Sequence, residues 1–137
     1  MGTGTLNTNP IFFNKRYSLS SSGFTFDLPK LIENMKQSHS WGKGELNSRV
    51  LLRSHGKQIM LTALHEGTEI VSSQSDDSIT FQIIEGELRF HSPNESITLG
   101  TGQLFTLHEK VKYRLTASEE TVFLLTIAAS TLKQVRN

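Results

Sequence analysis

The sequence predicts an all-β domain, a closed barrel or a two-sheet sandwich, from three observations. Short apolar segments recur from Ser48 onward, eight or nine of them in fewer than 90 residues. Turn residues close each one: Ser54-His55-Gly56-Lys57, Gly86, Ser92-Pro93-Asn94-Glu95, Glu109-Lys110 and Ser118-Glu119-Glu120. Within them apolar and polar side chains alternate, the period of two that sets one strand face on a core and the other in water. Ile79, Phe81 and Ile83 alternate with Thr80 and Gln82; Leu88 and Phe90 with Glu87, Arg89 and His91; Val111, Tyr113 and Leu115 with Lys112 and Arg114. That many short strands in so little chain bury a core only as a sandwich or barrel.

Taken in order, residues 1–25 are rich in Ser, Thr, Asn and Gly and read as an N-terminal arm. Ile11, Phe12, Phe13, Tyr17, Phe24 and Phe26 are too apolar for a plain linker. An arm that adds a strand to an exposed edge, on the barrel or on a partner subunit, would cover them. Residues 26–47 are expected to form one short amphipathic helix and its connection. Asp27 is placed to cap it, Pro29 falls in the first turn, where its missing N–H costs nothing, and Glu33 complements the helix dipole. Leu28, Leu31, Ile32 and Met35 make one apolar stripe, suited to packing on a sheet, while Lys30, Glu33, Asn34 and Lys36 face water. The helix is expected to stop near Ser38. The barrel spans 48–130, with strands over 49–54, 58–66, 79–85, 87–92, 96–99, 103–107, 112–116 and 121–128. The tail, 131–137, is polar.

Composition narrows the function. A chain of 137 residues makes one domain. Its 14 basic and 13 acidic residues leave a net charge of +1 without a basic patch, which argues against nucleic acid or an acidic membrane as partner. With no cysteine there are no disulfides, thiolate metal sites or cysteine nucleophiles. No apolar run approaches the roughly 18–20 residues of a membrane span. The N-terminus lacks a basic start followed by an apolar stretch, so the expected location is cytoplasmic.

Between Gly67 and Gly86 the chain reads GTEIVSSQSDDSITFQIIEG. This glycine spacing resembles the first motif of the cupins: G, five residues, H-x-H, three or four residues, E, six residues, G. Laid on this sequence, the two histidines and the glutamate fall on Ser73, Ser75 and Ile79. The second motif resembles Gly102-Gln103 and the apolar strand after it, with His108 where a proline is usual and Lys110 where a glycine is usual. The final histidine ligand becomes Tyr113. The resemblance covers residues 58–128 and implies a cupin jelly roll. Small cupins of this kind commonly pair, so a homodimer is expected.

Cupin metal sites join three imidazoles and a carboxylate around Fe, Mn, Ni or Zn. In this frame the donors are two neutral hydroxyls, an isoleucine, and a phenol that ionises only near pH 10. No metal or other cofactor is therefore expected. A displaced site could draw on His65, Glu69 and His108, although His65 shares a strand face with Ile59, Leu61 and Ala63 and need not face the pocket. A lone strand histidine is more often a surface or interface residue. Neither GTGTL nor GTGQ has the strand-to-helix setting and lysine of a phosphate loop, and the serines of SSQS have no histidine–acid relay nearby. Asp76-Asp77 reads as solvated turn chemistry.

What remains is a barrel mouth lined by Ile79, Phe81 and Tyr113, with Ser73 and Ser75 at its entrance. That lining suits a small, partly apolar ligand held by one or two hydrogen bonds. The expectation is a metal-free, non-catalytic cupin domain with a small-molecule binding, sensing or accessory role. Two alternatives stay open: a metalloenzyme with displaced ligands, and a structural homodimer module whose barrel is filled by its own side chains.

Overall fold

The computed structural model describes residues 17–19, 23–72, 77–107 and 110–129. The helix α1 (Leu28–Lys36) forms where its stripe predicts, with the Asp27 side chain accepting from the Lys30 N–H at 3.2 Å. Leu31, Ile32 and Met35 are buried, each contributing about 1.5–3 kcal/mol of apolar burial. The chain does not simply stop near Ser38. Ser38 donates to the Met35 carbonyl at 2.8 Å and accepts from the Trp41 N–H at 3.3 Å, capping a single-turn helix α2 (His39–Gly42) that seats Trp41 in the core. Asn47 ties off the junction, its amide donating to Met35 O at 2.9 Å and Ser38 Oγ at 2.8 Å. The Met35 carbonyl at the end of α1 is thereby satisfied away from water.

Eleven strands are described. A small hairpin pairs β1 (Tyr17–Leu19) with β2 (Phe24–Phe26). The rest form two antiparallel sheets. The larger holds β3 (Asn47–Ser54), β4 (Lys57–Leu64), β11 (Thr121–Ala128), β6 (Ser78–Glu85) and β9 (Leu104–Leu107), in that order. The smaller holds β5 (Glu69–Ser72), β10 (Tyr113–Ala117), β7 (Glu87–His91) and β8 (Ser96–Gly100). The chain crosses between sheets at almost every connection, the jelly-roll path. The tightest crossing is β6 to β7, with Gly86 alone between them.

Two apolar layers result. The inner layer lies between the sheets and contains Leu64, Ile79, Phe81, Ile83, Leu88, Phe90, Leu115 and Phe123. The outer layer lies where α1 and α2 cover the larger sheet, and joins Leu31, Met35 and Trp41 to Leu51, Leu61, Ala63 and Val122. β4 is therefore buried on both faces: Leu61 and Ala63 meet the helices while Leu64 faces inward. Lys36 anchors α1 through two ion pairs, to Glu85 at 2.8 Å and Glu120 at 2.7 Å. Among the described residues no helix is long and apolar enough to cross a membrane.

Candidate functional site

One end of the sandwich gathers the finish of β5, β7 and β9 and the start of β6 and β10. Ile79 and Tyr113 of the frame lie at this end. Gly67 and Gly86 have φ of +87° and +95°, left-handed values that favour glycine. Lys110, where the family usually has glycine, also lies in the left-handed region at φ +63°.

Strand parity carries Ile79, Phe81 and Tyr113 to the interior, as expected. Ile79 is opposite Leu107 on one side and Ile127 on the other, 7% exposed, inside an apolar shell. Phe81 is fully buried. Tyr113 opens β10 opposite Ser72, which shares the inward face of Ile70. Its ring lies 5.6 Å from Phe90, nearly parallel at 29°, and 5.7 Å edge-on from Phe81. Phe81 in turn meets Phe123 at 5.9 Å, and Phe90 meets Phe105 at 4.9 Å. Five rings drawn from both sheets thus form one continuous ladder across the interior, in the offset and edge-on geometries aromatic pairs prefer. Phe81, Ile83 and Phe90 are each no more than 1% exposed, so the interior at their level is packed with side chains. Ser73, Ser75 and His108 lie outside the described residues.

The two described members of the displaced metal set have other engagements. His65 stacks on Trp41 with ring centroids 3.5 Å apart, and its Nε2 is 3.0 Å from the Trp41 carbonyl, on the helix-covered side of the larger sheet. Glu69 sits on the smaller sheet, its carboxylate 2.9 Å from Arg114 Nε. Among the described residues no cluster of three or more His, Asp or Glu side chains could hold a metal ion. The frame positions fit a metal no better: Ile79 offers no donor, and Tyr113 is built into the aromatic ladder.

A second feature borders the mouth. A shallow open groove of about 330 Å³ runs along the rim of the smaller sheet, between the ends of β5 and β7 and the start of β10. Val71, His91, Lys112, Tyr113 and Arg114 line it. Sequence reading placed Lys112, Arg114 and His91 on polar strand faces but did not bring them together. Parity alone would have put Arg114 and His91 on one face; their pairing across β10 and β7 needed the register.

No protein-family model matches the chain, and no curated protein matches it in sequence. Solved structures match in fold. The cupin domain of Schizosaccharomyces pombe Cnp3 has a TM-score of 0.65 at 15% identity, covering 88% of this chain and 89% of that one. Clostridium difficile EutQ has a TM-score of 0.67 at 12% identity, covering 84% and 87%. A cupin superfamily protein of Desulfitobacterium hafniense DCB-2 has a TM-score of 0.60 at 15% identity, covering 63% and 79%. At these identities the likeness speaks for the fold. Two antiparallel sheets, the jelly-roll crossings, the glycine frame and these matches agree: the chain has the cupin fold.

Proposed function

We propose that this chain is a metal-free cupin module without catalytic activity, whose role is to bind a small molecule or to serve as a sensing or accessory domain. One observation carries this reading: Ile79 and Tyr113, two of the four positions that hold ligands in metal-binding cupins, are spent on packing. Ile79 is buried among Leu107 and Ile127, and the Tyr113 ring stacks on Phe90. A first-row metal needs three or four N, O or S donors, and isoleucine supplies none. Because the aromatic ladder fills the interior, a ligand would be confined to the mouth and its rim. Metal analysis of untagged protein, dialysed against Fe(II), Mn, Ni and Zn in turn, tests the reading. The expected result is far below one metal per chain. A stoichiometric metal lost in Tyr113→Phe or His65→Ala would overturn it.

The same ladder favours a second reading, a structural homodimer module with a filled barrel. Leu104 on the edge strand β9 and Leu46 beside β3 are 61% and 46% exposed, apolar groups that a second copy would cover. Light scattering coupled to size exclusion reads the mass directly. A monomer at all concentrations would rule out the dimer.

A further inference from the structure

We infer that the rim groove of the smaller sheet is a binding site for a small organic monoanion, a carboxylate on a flat apolar body. This rests on the binding-module reading and gives it a place and a chemical class. The groove meets the barrel interior at Ser72 and Tyr113 but extends over the outward face of the sheet. In cross-strand register Val71, Arg114 and His91 form one row on the outward face of the sheet, whereas Ile70, Leu115 and Phe90 form the next row, facing inward.

Charge and shape agree on the occupant. Lys112 and Arg114 both line the groove, and among the described residues no carboxylate lines it. Lys112 is exposed and has no ion-pair partner among the described residues. Glu69 engages Arg114 at Nε, 2.9 Å away, and so fixes the guanidinium against the sheet while its two terminal NH2 groups supply further donors. An ammonium and a guanidinium flanking Tyr113, one just before β10 and one on it, can each take one oxygen of a carboxylate. His91 forms the far wall, its ring set by Ser96 Oγ at 2.9 Å from Nδ1 and by Thr116 Oγ1 at 3.5 Å from Nε2.

The apolar half of the ligand also has a seat. Val71 is 76% exposed, the most exposed large apolar side chain described, and Pro93 and the half-buried Tyr113 ring stand beside it. Tyr113 is held from behind by Phe90 and Phe81, so the face it offers is preorganised. A volume of about 330 Å³ is at the small end of ligand sites, which matches a single ring or short chain rather than a nucleotide. Among the described residues no helix begins at the rim, so none presents its N-terminal amides to a phosphate there.

The test is an NMR titration of the full chain with sodium benzoate, benzamide and benzylamine at constant ionic strength, up to about 20 mM. Saturable benzoate shifts are expected at the amides of Val71, His91, Lys112, Tyr113 and Arg114. Benzamide should bind at least about fivefold more weakly, and Lys112→Glu should weaken benzoate about tenfold while leaving the rest of the spectrum unchanged. Arg114→Gln supplies the second variant. Equal binding of benzamide, or benzoate affinity untouched by both variants, overturns the site. Saturable shifts confined to Ile79 and Phe81 would also overturn it while leaving a binding module intact. A stoichiometric metal would remove the proposed function and leave the groove result standing.

Discussion

Alanine at the two glycines of the frame should have very different consequences, although both have the same backbone need. At Gly67, φ is +87° and an added methyl meets nothing within 4 Å. The left-handed conformation costs alanine about 1–2 kcal/mol, offset by about 0.4–1 kcal/mol from a stiffer unfolded chain. Gly67→Ala should therefore lose only about 1 kcal/mol. At Gly86, φ is +95°, and the methyl would land on the Glu120 carbonyl oxygen and 2.6 Å from both Cα and Oγ1 of Thr121. Neither can yield cheaply. Thr121 is fully buried, its hydroxyl 2.9 Å from the Glu87 carbonyl and 2.7 Å from that of Glu119, and it accepts from the Glu87 N–H at 3.1 Å. This residue clamps the corner where β6 passes to β7 against the turn between β10 and β11. Adding overpacking and strained buried hydrogen bonds to the conformational cost gives about 4–6 kcal/mol for Gly86→Ala. Urea denaturation of both full-length variants reads the difference directly, provided the slope is unchanged. A gap below about 1 kcal/mol would refute the close approach as the reason for Gly86.

Three further outcomes follow from the packing. Phe81→Ala should cost about 3–5 kcal/mol and open a dry cavity beside Tyr113 and Phe123, so that benzene raises the variant's melting temperature but not the parent's; an unchanged urea midpoint would mean the interior is not filled. Burial alone would lower the Lys36 pKa, but hydrogen bonds to Glu120 and Glu85 outweigh it and raise it above the usual 10.5. The folded state holds that proton more tightly, so the bridges' stabilisation is fully present below pH 10.5 and is lost as pH rises through the folded-state value. With both carboxylates nearly half exposed, Lys36→Met should cost less than about 1 kcal/mol per bridge near neutrality, and that cost should vanish in strong alkali; an equal cost at both pH values contradicts the linkage. Lys110→Gly relieves a left-handed lysine at φ +63° and should raise stability by about 0.5–1 kcal/mol in urea, whereas a loss would show that the lysine side chain matters more than its backbone.

Most of the barrel was legible because its strands have one wet face. β6, β7 and β10 alternate cleanly, and the residues read as inward are inward. Legibility failed where a second layer or a pairing partner decided the outcome. β4 is buried on both faces, so alternation could not say whether Leu61 or Leu64 met the inner core. β5 was not anticipated: Glu69–Ser72 is short, and Val71 is left exposed, so only hydrogen bonding to β10 makes it a strand. The single-turn helix that seats Trp41 was missed for a similar reason. Its Ser38 cap is local, but four residues are too short for a periodic stripe, and Asn47 braces that cap from the start of β3.

By itself, the sequence determined the strand rhythm, the amphipathic helix and the glycine frame, because each is a local matter of periodicity or backbone conformation. It also set Ser73, Ser75, Ile79 and Tyr113, poor donors for a first-row metal, on the ligand positions of the motif it resembles. Only the tertiary structure decided what replaced that chemistry. Phe81, Phe90, Phe105, Tyr113 and Phe123 lie on five different strands, and only the closing of two sheets stacks them into one ladder. The rim groove is likewise a product of register, since Val71, Arg114 and His91 become neighbours only when β5, β10 and β7 pair. Long-range pairing is written in no single segment, and the candidate site is made of it.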